Sequence, residues 1–163
     1  MIKKLKWQKG FTLIELLVVI GILAVLLAIT LIAINPARQF SQANDTKRSS
    51  DVNAILNAVN QYMADNKGVP PSGITNSVAE ISNAGADLCN ALVPKYIAAL
   101  PVDPQTSYAT GIAKGTAVTK DGSGNCPAAY VTNYFIVKSA TDSRITVYAN
   151  GTEVAVPTIS VNR

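Results

Sequence analysis

One carboxylate interrupts an otherwise uncharged apolar stretch near the start of the chain. Between Phe11 and Ile34 the only charged residue is Glu15. A run of about twenty apolar residues is long enough for a helix to cross a bilayer. A carboxylate inside such a helix costs about 2.5–3.5 kcal/mol at mid-membrane. Glu15 is therefore a functional-site candidate that needs a partner.

The residues before this stretch form a short basic leader. Residues 1–9 contain four lysines and no acidic residue. Such a positive segment is expected to stay on the cytoplasmic side of a membrane and to act as a targeting leader. Without it, the 14 basic residues of the chain fall to ten, against ten acidic ones. The net charge of +4 therefore belongs to the leader, so this charge does not indicate a nucleic-acid partner, although it leaves open a local basic patch on the mature chain.

The segment Gly10-Phe11-Thr12-Leu13-Ile14-Glu15, with the leader before it and the apolar run after it, resembles the signature of bacterial type IV pilins and pseudopilins. This resemblance covers about a third of the chain, namely the leader and the first long helix. It implies that a prepilin peptidase cleaves between Gly10 and Phe11 and methylates the new amine of Phe11. It also implies a membrane-stored precursor, an inner-membrane assembly platform and a homo-oligomeric helical filament.

Cleavage would supply a partner for Glu15. The new α-ammonium group of Phe11 is mostly protonated at neutral pH, because the pKa of such an amine is near 8. In a bundle of staggered helices, Glu15 is expected to pair with the Phe11 amine of a neighbouring subunit, and Thr12 belongs to the same assembly segment. In an apolar core a wrong register leaves two unpaired charges, so the pair favours one axial register. An ordinary signal anchor is the alternative interpretation.

The long N-terminal helix is expected to run from about Thr12 to Lys67, roughly 80 Å at 1.5 Å per residue. Residues 11–35 would form its hydrophobic transmembrane or filament-core half, and residues 36–67 its amphipathic half after a kink at Pro36. Polar residues 41–50 are expected to be solvated or to lie between subunits. The amphipathic pattern rests on apolar residues at spacings of three and four, namely Val52, Ile55, Leu56, Val59, Tyr62 and Met63.

Residues 68–163 are predicted to form a globular head. We expect a helical turn near residues 78–81, a helix over about residues 88–100 capped by Asp87, and a surface loop over residues 108–125. Three antiparallel strands are predicted at residues 130–138, 143–149 and 152–156, with Asn150-Gly151 as a two-residue hairpin turn.

The amphipathic helix is expected to cover one face of this sheet, because each element needs another apolar layer. The faces assigned to the sheet carry Val131, Phe135 and Val137 on the first strand and Ile145 and Val147 on the second. The predicted fold class is α+β and pilin-like, a long N-terminal helix packed on a small antiparallel head.

The chain has two cysteines, Cys89 and Cys126, in the region expected outside the membrane. A disulfide persists in that environment, so pairing is expected, with two free buried thiols as the alternative. The cross-link would stabilise the head by about 4 kcal/mol in the chain-entropy model.

Residues Asp121, Ser123 and Asn125 place oxygen atoms at alternate positions, as a calcium loop does, but the terminal glutamate of that loop is missing. A glycine-rich turn is the simpler interpretation. Some related pseudopilins bind calcium in this region, so the resemblance makes Asp103 and Asp121 the candidate ligands. No other cofactor is expected.

An enzymatic head is not expected. The sequence has no histidine and no Gly-x-Ser-x-Gly motif to activate a serine. The resemblance implies a structural subunit of an extracellular type IV pilus, made as an inner-membrane precursor. A pseudopilin of a type II secretion system is one alternative, and a single-span membrane-anchored binding domain, never cleaved at Gly10, is another.

Overall fold

The computed structural model describes residues 10–105, 116–151, 153–154 and 158–162. The chain divides into two compact units between Gln39 and Phe40. A long helical N-terminal part and a small antiparallel sheet confirm the predicted α+β class. In chain order the elements are α1 (Leu13–Ile34), α2 (Pro36–Asp65), β1 (Ala79–Ser82), α3 (Cys89–Leu92), β2 (Val131–Lys138), β3 (Ile145–Ala149) and β4 (Ile159–Asn162).

Helix α1 is apolar on all sides. Its 22 residues make it about 33 Å long at 1.5 Å per residue, which matches the hydrocarbon thickness of a bilayer. None of its residues is buried. Among the described residues it is the one helix whose length and composition suit a membrane span.

Asn35 separates α1 from α2, so the long helix predicted from Thr12 to Lys67 is interrupted at one residue, and it ends at Asp65. Asn35 adopts a left-handed conformation with φ of 44°, and Pro36 has no N–H to continue the α1 hydrogen-bond ladder. The carbonyl and side-chain oxygens of Asn35 accept from the Arg38 N–H at 3.1 and 3.4 Å. The chain thus ends one helix and starts the next at the position where a kink was expected.

Helix α2 carries the predicted amphipathic stripe. Val52, Ile55, Leu56 and Val59 are at most 1% exposed, and Tyr62 and Met63 pack against the same core. After Asp65 the helix ends with Lys67 and Gly68 at positive φ, and the Gly68 N–H donates to the Met63 carbonyl at 2.8 Å. A glycine in the left-handed conformation is a common way for a helix to end.

The sheet is antiparallel with strand order β1-β2-β3-β4. The helical turn predicted near residues 78–81 is wrong, because Ala79 and Glu80 pair with Ile136 and Phe135 of β2. Ile145 and Val147 of β3 are buried as predicted.

The face assigned to β2 is wrong. Thr132, Tyr134 and Ile136 are buried, whereas the alternate set that contains Phe135 is only half-buried. Both faces of this strand carry large apolar residues, so alternation alone does not tell which one is internal. The inner face also gives the Tyr134 hydroxyl a partner, since it donates to Asp51 of α2 at 2.8 Å.

The last strand begins later than predicted. Glu153 and Val154 form a bend, and β4 pairs Ile159 with Ala149. Thr152 and residues 155–156, which also belong to the predicted strand, lie outside the described residues. The N–H groups of residues 153 and 154 donate to the Asp45 carboxylate instead of to a strand, so Asn150-Gly151 does not form a two-residue hairpin.

The helix predicted over residues 88–100 is also wrong in length. Helix α3 has four residues, because Pro94 cannot continue a helical hydrogen-bond ladder. Asp87 accepts from the Cys89 N–H at 3.3 Å and from the Tyr130 hydroxyl at 2.6 Å. Further along, the predicted loop contributes Val118 to a buried two-way bridge with Leu100, while residues 106–115 lie outside the described part of the chain.

Candidate functional site

The N-terminus of α1 is closed by a reciprocal hydrogen-bonded cap between Thr12 and Glu15. The Thr12 hydroxyl accepts from the Glu15 N–H at 3.3 Å. The Glu15 carboxylate accepts from the Thr12 N–H at 2.8 Å and from its hydroxyl at 2.7 Å. Such a capping box satisfies two N–H groups that the helix itself cannot pair. The carboxylate also lies at the positive end of the helix dipole.

The two residues at the predicted cleavage point directly precede this cap and are exposed. Gly10 is exposed and Phe11 is 84% exposed. A Cβ built on Gly10 meets no atom within 4 Å. The peptide bond between Gly10 and Phe11 is therefore accessible. Its nitrogen belongs to Phe11, the residue that directly precedes the N-cap residue Thr12.

Helix α1 extends from this cap as a wholly apolar surface. Its large apolar side chains, from Leu13 to Ile34, are 51–84% exposed. An apolar helix with no polar face needs apolar surroundings on every side, either lipid or other helices. The Glu15 carboxylate lies at the N-terminal end of this surface. The segment therefore combines a large apolar contact area with one negative charge.

Arg48 of α2 forms a second charged site that sequence reasoning missed. Its side chain is only 2% exposed, although residues 41–50 were expected to be solvated or to lie between subunits. The Nε and Nη2 atoms donate to Asp103 at 2.7 and 3.2 Å. Nη1 donates to Asp45 at 2.8 Å and to Glu153 at 3.2 Å. We call these four residues the Arg48 cluster.

The Arg48 cluster fastens a bend near the end of the chain to α2. Asp45 accepts from the N–H of Glu153 and of Val154, both at 3.1 Å. Burial raises the pKa of Asp45, but these backbone hydrogen bonds and the one from Arg48 outweigh it, so the pKa lies below its ordinary value. The pKa of Glu153 is lowered in the same way, because hydrogen bonds from Ser41, Asn44, Gln105 and Arg48 outweigh the effect of burial.

The expected disulfide is present in the structure. Cys89 and Cys126 are joined with their Cα atoms 6.1 Å apart, within the range of ordinary disulfides. The Cys89 N–H also donates to the buried Tyr130 hydroxyl at 3.3 Å. The cross-link thus ties α3 to the segment that leads into β2.

The candidate calcium ligands lie in two different hydrogen-bond systems. Asp103 is buried against Arg48 and accepts from the Gln105 N–H at 2.8 Å. Asp121 is exposed, and its carboxylate accepts from the N–H groups of Ser123 and Asn125, both at 2.8 Å. These hydrogen bonds, led by the one from Asn125, lower the pKa of Asp121. Within the described ranges, no group of three or more carboxylate or cysteine side chains is arranged to hold a metal.

A weak signal for the Arg48 cluster exists in the sequence. Asp45 and Arg48 lie three residues apart, a spacing that places both on one side of a helix. The partners Asp103 and Glu153 stand 55 and 105 residues away from Arg48, and no local pattern predicts such contacts.

Comparison with known proteins identifies the N-terminal segment. Residues 8–31 match the family model described as the prokaryotic N-terminal methylation motif. This match spans the predicted cleavage point, the Thr12–Glu15 cap and most of α1. No solved structure matches the chain.

Similar proteins match a larger share of the chain than this motif does. The chain is 35% identical to the type II secretion system core protein G of Escherichia coli (strain K12), over 60% of this chain and 66% of that protein. It is 33% identical to the protein of the same name from Vibrio cholerae, over 63% of this chain and 68% of that one. It is 36% identical to fimbrial protein EcpC of Eikenella corrodens, over 66% and 68%. The chain thus spans about two thirds of each relative.

Proposed function

We propose that this chain, which belongs to the bacterial type IV pilin and pseudopilin superfamily, is a structural subunit of an extracellular type IV pilus filament. The observation that carries this proposal is helix α1, whose apolar side chains are exposed along its whole length and whose first turn holds the single charge of Glu15. Such a surface suits a helix that is first surrounded by lipid and then by copies of itself.

The precursor would be stored in the inner membrane with α1 as its span and with the leader on the cytoplasmic side. A prepilin peptidase would cleave between Gly10 and Phe11 and methylate the Phe11 amine. The exposure of both residues supports access to this bond. An inner-membrane platform would then move α1 into the filament core, where apolar contacts between helices replace contacts with lipid.

Glu15 would change partners during this transfer. In the single chain its carboxylate accepts both hydrogen bonds that Thr12 donates, so the charge is not left bare before assembly. In the filament we propose that the carboxylate also meets the Phe11 ammonium of a neighbouring subunit. Because an unpaired charge in an apolar core is costly, this contact would select one axial register.

The second candidate function is that of a pseudopilin in a type II secretion system. Two of the relatives described above carry the name of such a core protein, whereas one is named as a fimbrial protein. In both functions the chain is a non-enzymatic subunit, and the two differ in the filament that it builds.

Processing is tested by mass spectrometry of the first peptide of the protein isolated from cells that contain prepilin peptidase. We expect the peptide to begin at Phe11 and to be heavier by one methylene group. Gly10→Val is the matched control, since a Cβ at Gly10 meets no neighbour within 4 Å and so leaves the fold undisturbed. We expect this variant to keep its leader. A wild-type chain that retains residues 1–10 would instead support the single-span binding domain.

The two filament types are separated by electron microscopy and by a secretion assay in cells that lack this chain. A pilus subunit predicts that long surface filaments disappear and that protein secretion continues. A pseudopilin predicts unchanged surface filaments and secreted proteins held in the periplasm.

A further inference from the structure

We infer that Asn150 is a site of spontaneous deamidation, at which attack by the Gly151 backbone nitrogen leads to a carboxylate one residue before the backbone position that lies beside Arg48. An asparagine followed by glycine is the sequence in which this reaction meets least hindrance. Glycine has no Cβ next to the attacking nitrogen, and its backbone reaches conformations that other residues avoid.

The backbone around this pair is not fixed by the sheet. Pairing between β3 and β4 ends at Ala149 and Ile159, so Asn150 and Gly151 lie just outside the ladder. Both residues are exposed to solvent. The hairpin turn expected for them does not form, which leaves the pair without the structural role that the sequence suggested.

The reaction needs only water and balances as follows. The Gly151 nitrogen bonds to the Asn150 Cγ and loses its proton to base, while the bond from Cγ to Nδ2 breaks and ammonia leaves with a proton. The product is a five-membered succinimide. Water then adds to one of its two carbonyl carbons and breaks that carbon's bond to the ring nitrogen. Attack at Cγ gives aspartate, and attack at the backbone carbonyl gives isoaspartate, in which the main chain runs through Cβ.

Deamidation at Asn150 would disturb the Arg48 cluster. A Cβ built on Gly151 lies 3.8 Å from Nη2 of Arg48, so the residue that directly follows Asn150 lies beside a guanidinium. That guanidinium already contacts three carboxylates, those of Asp45, Asp103 and Glu153. A fourth negative charge would repel these groups. The longer backbone of isoaspartate would also displace the bend whose N–H groups donate to Asp45.

The test follows one tryptic peptide of the full-length chain in detergent during incubation in mildly alkaline buffer. Trypsin releases residues 145–163 as a single peptide that contains both Asn150 and Asn162. Asn162 is followed by arginine and serves as the internal reference. We expect conversion to aspartate and isoaspartate to be at least severalfold faster at Asn150 than at Asn162, as measured by tandem mass spectrometry.

Gly151→Ala is the matched variant. The added Cβ would make only an ordinary contact with Arg48, and Gly151 does not have a positive φ, so this variant is expected to fold. It should slow conversion at Asn150 severalfold. Equal rates in the variant and the wild type would overturn the proposal. So would a chain that converts in urea but keeps its amide when folded, because the folded backbone would then prevent the ring closure.

The effect on the Arg48 cluster is measured with Asn150→Asp, which carries the aspartate product from the start. We expect its thermal unfolding midpoint to be lower than that of the wild type. We expect Asn162→Asp to unfold at the wild-type midpoint. A wild-type midpoint for Asn150→Asp would show that the new charge does not disturb the cluster and would overturn that part of the proposal.

Discussion

Arg48 of α2 and Asp103 of the following head form an ion pair with two hydrogen bonds, of 2.7 and 3.2 Å, in which both side chains are at most 2% exposed. The planar guanidinium matches the two oxygens of a carboxylate, so this geometry fixes the relative position of both groups. The pair thereby holds the segment around residue 103 against α2, and Asp45 and Glu153 extend the contact to the bend at residues 153–154.

Removal of Arg48 should destabilise the head strongly. In Arg48→Met the Asp103 carboxylate stays buried without its partner, which costs about 3–5 kcal/mol. Urea unfolding of the full chain in detergent measures the loss. Arg144→Met is the control, because Arg144 is 64% exposed in its ion pair with Asp142, and such surface pairs contribute at most about 1 kcal/mol. Similar losses in the two variants would contradict a structural role for the Arg48 cluster.

Acid should weaken the fold through Asp45 and Glu153. The pKa of each lies below its ordinary value, 3.8 for Asp45 and 4.5 for Glu153. A carboxyl with a lowered folded-state pKa stabilises the protein above its unfolded pKa, and this contribution is lost as pH falls through the folded pKa. We therefore expect the free energy of unfolding to decline as pH falls below about 5.

This acid dependence is checked by urea unfolding at a series of pH values. Asp45→Asn should flatten the decline, since the group that takes up the proton is gone. Asp65→Asn should keep most of it, because the Asp65–Lys95 pair is more than half exposed and is screened by water. If the free energy of unfolding of Asp45→Asn declines with pH as steeply as that of the wild type, the acid dependence comes from other carboxyl groups.

Loss of the disulfide should cost about 4 kcal/mol, because it closes a loop with a sequence separation of 37 residues. The variant with both Cys89→Ala and Cys126→Ala should therefore unfold at lower urea concentration than the oxidised wild type. A reducing agent should move the wild type to the same midpoint and leave the double variant where it is. Equal midpoints for the oxidised wild type and the variant would refute this contribution.

The charge of Glu15 should be required for assembly and not for processing. Glu15→Ala should be cleaved after Gly10 yet form no filaments, as seen by mass spectrometry and electron microscopy of the same cells. Glu15→Gln separates charge from capping, since its amide oxygen still accepts a hydrogen bond from the Thr12 N–H. We expect it to fail in assembly as well. Normal filaments from either variant would contradict the proposed pairing between Glu15 and the Phe11 amine.

Removal of calcium should leave the thermal unfolding midpoint unchanged. Asp103 already pairs with Arg48, and the Asp121 carboxylate accepts backbone N–H groups from its own loop. The comparison is between the full chain in excess calcium and in excess chelator. An upward shift with calcium, lost in Asp121→Asn, would establish the loop at residues 121–125 as a calcium site.

The N-terminal site was predictable because its information is local. The residues from Gly10 to Glu15 and the apolar run after them stand next to one another in sequence, and helix α1 follows from composition alone. The stripe from Val52 to Met63 was equally clear, since its period matches that of a helix. In the single chain Glu15 pairs with Thr12. The capping-box pattern in the sequence could have predicted this contact, but Thr12 was predicted to act only in assembly.

The head was less predictable because its contacts are distant in sequence. A polar segment such as residues 41–50 is normally solvated, and its burial at Arg48 depends on Asp103 and Glu153. The error in the face assigned to β2 has a similar origin. Tyr134 and Phe135 are both large and apolar, and only the hydrogen bond from the Tyr134 hydroxyl to Asp51 of α2 distinguishes them. The strand predicted at residues 152–156 was wrong at residues 153 and 154, because their backbone N–H groups donate to Asp45 and not to a neighbouring strand.

Helix α1 has no side that differs from its others, and this uniformity makes its surroundings interchangeable. Lipid chains and apolar side chains offer it nearly the same environment, so a transfer from one to the other changes the hydrophobic free energy little. Under the proposed function, the axial register reached after that transfer would depend on the single carboxylate at its first turn.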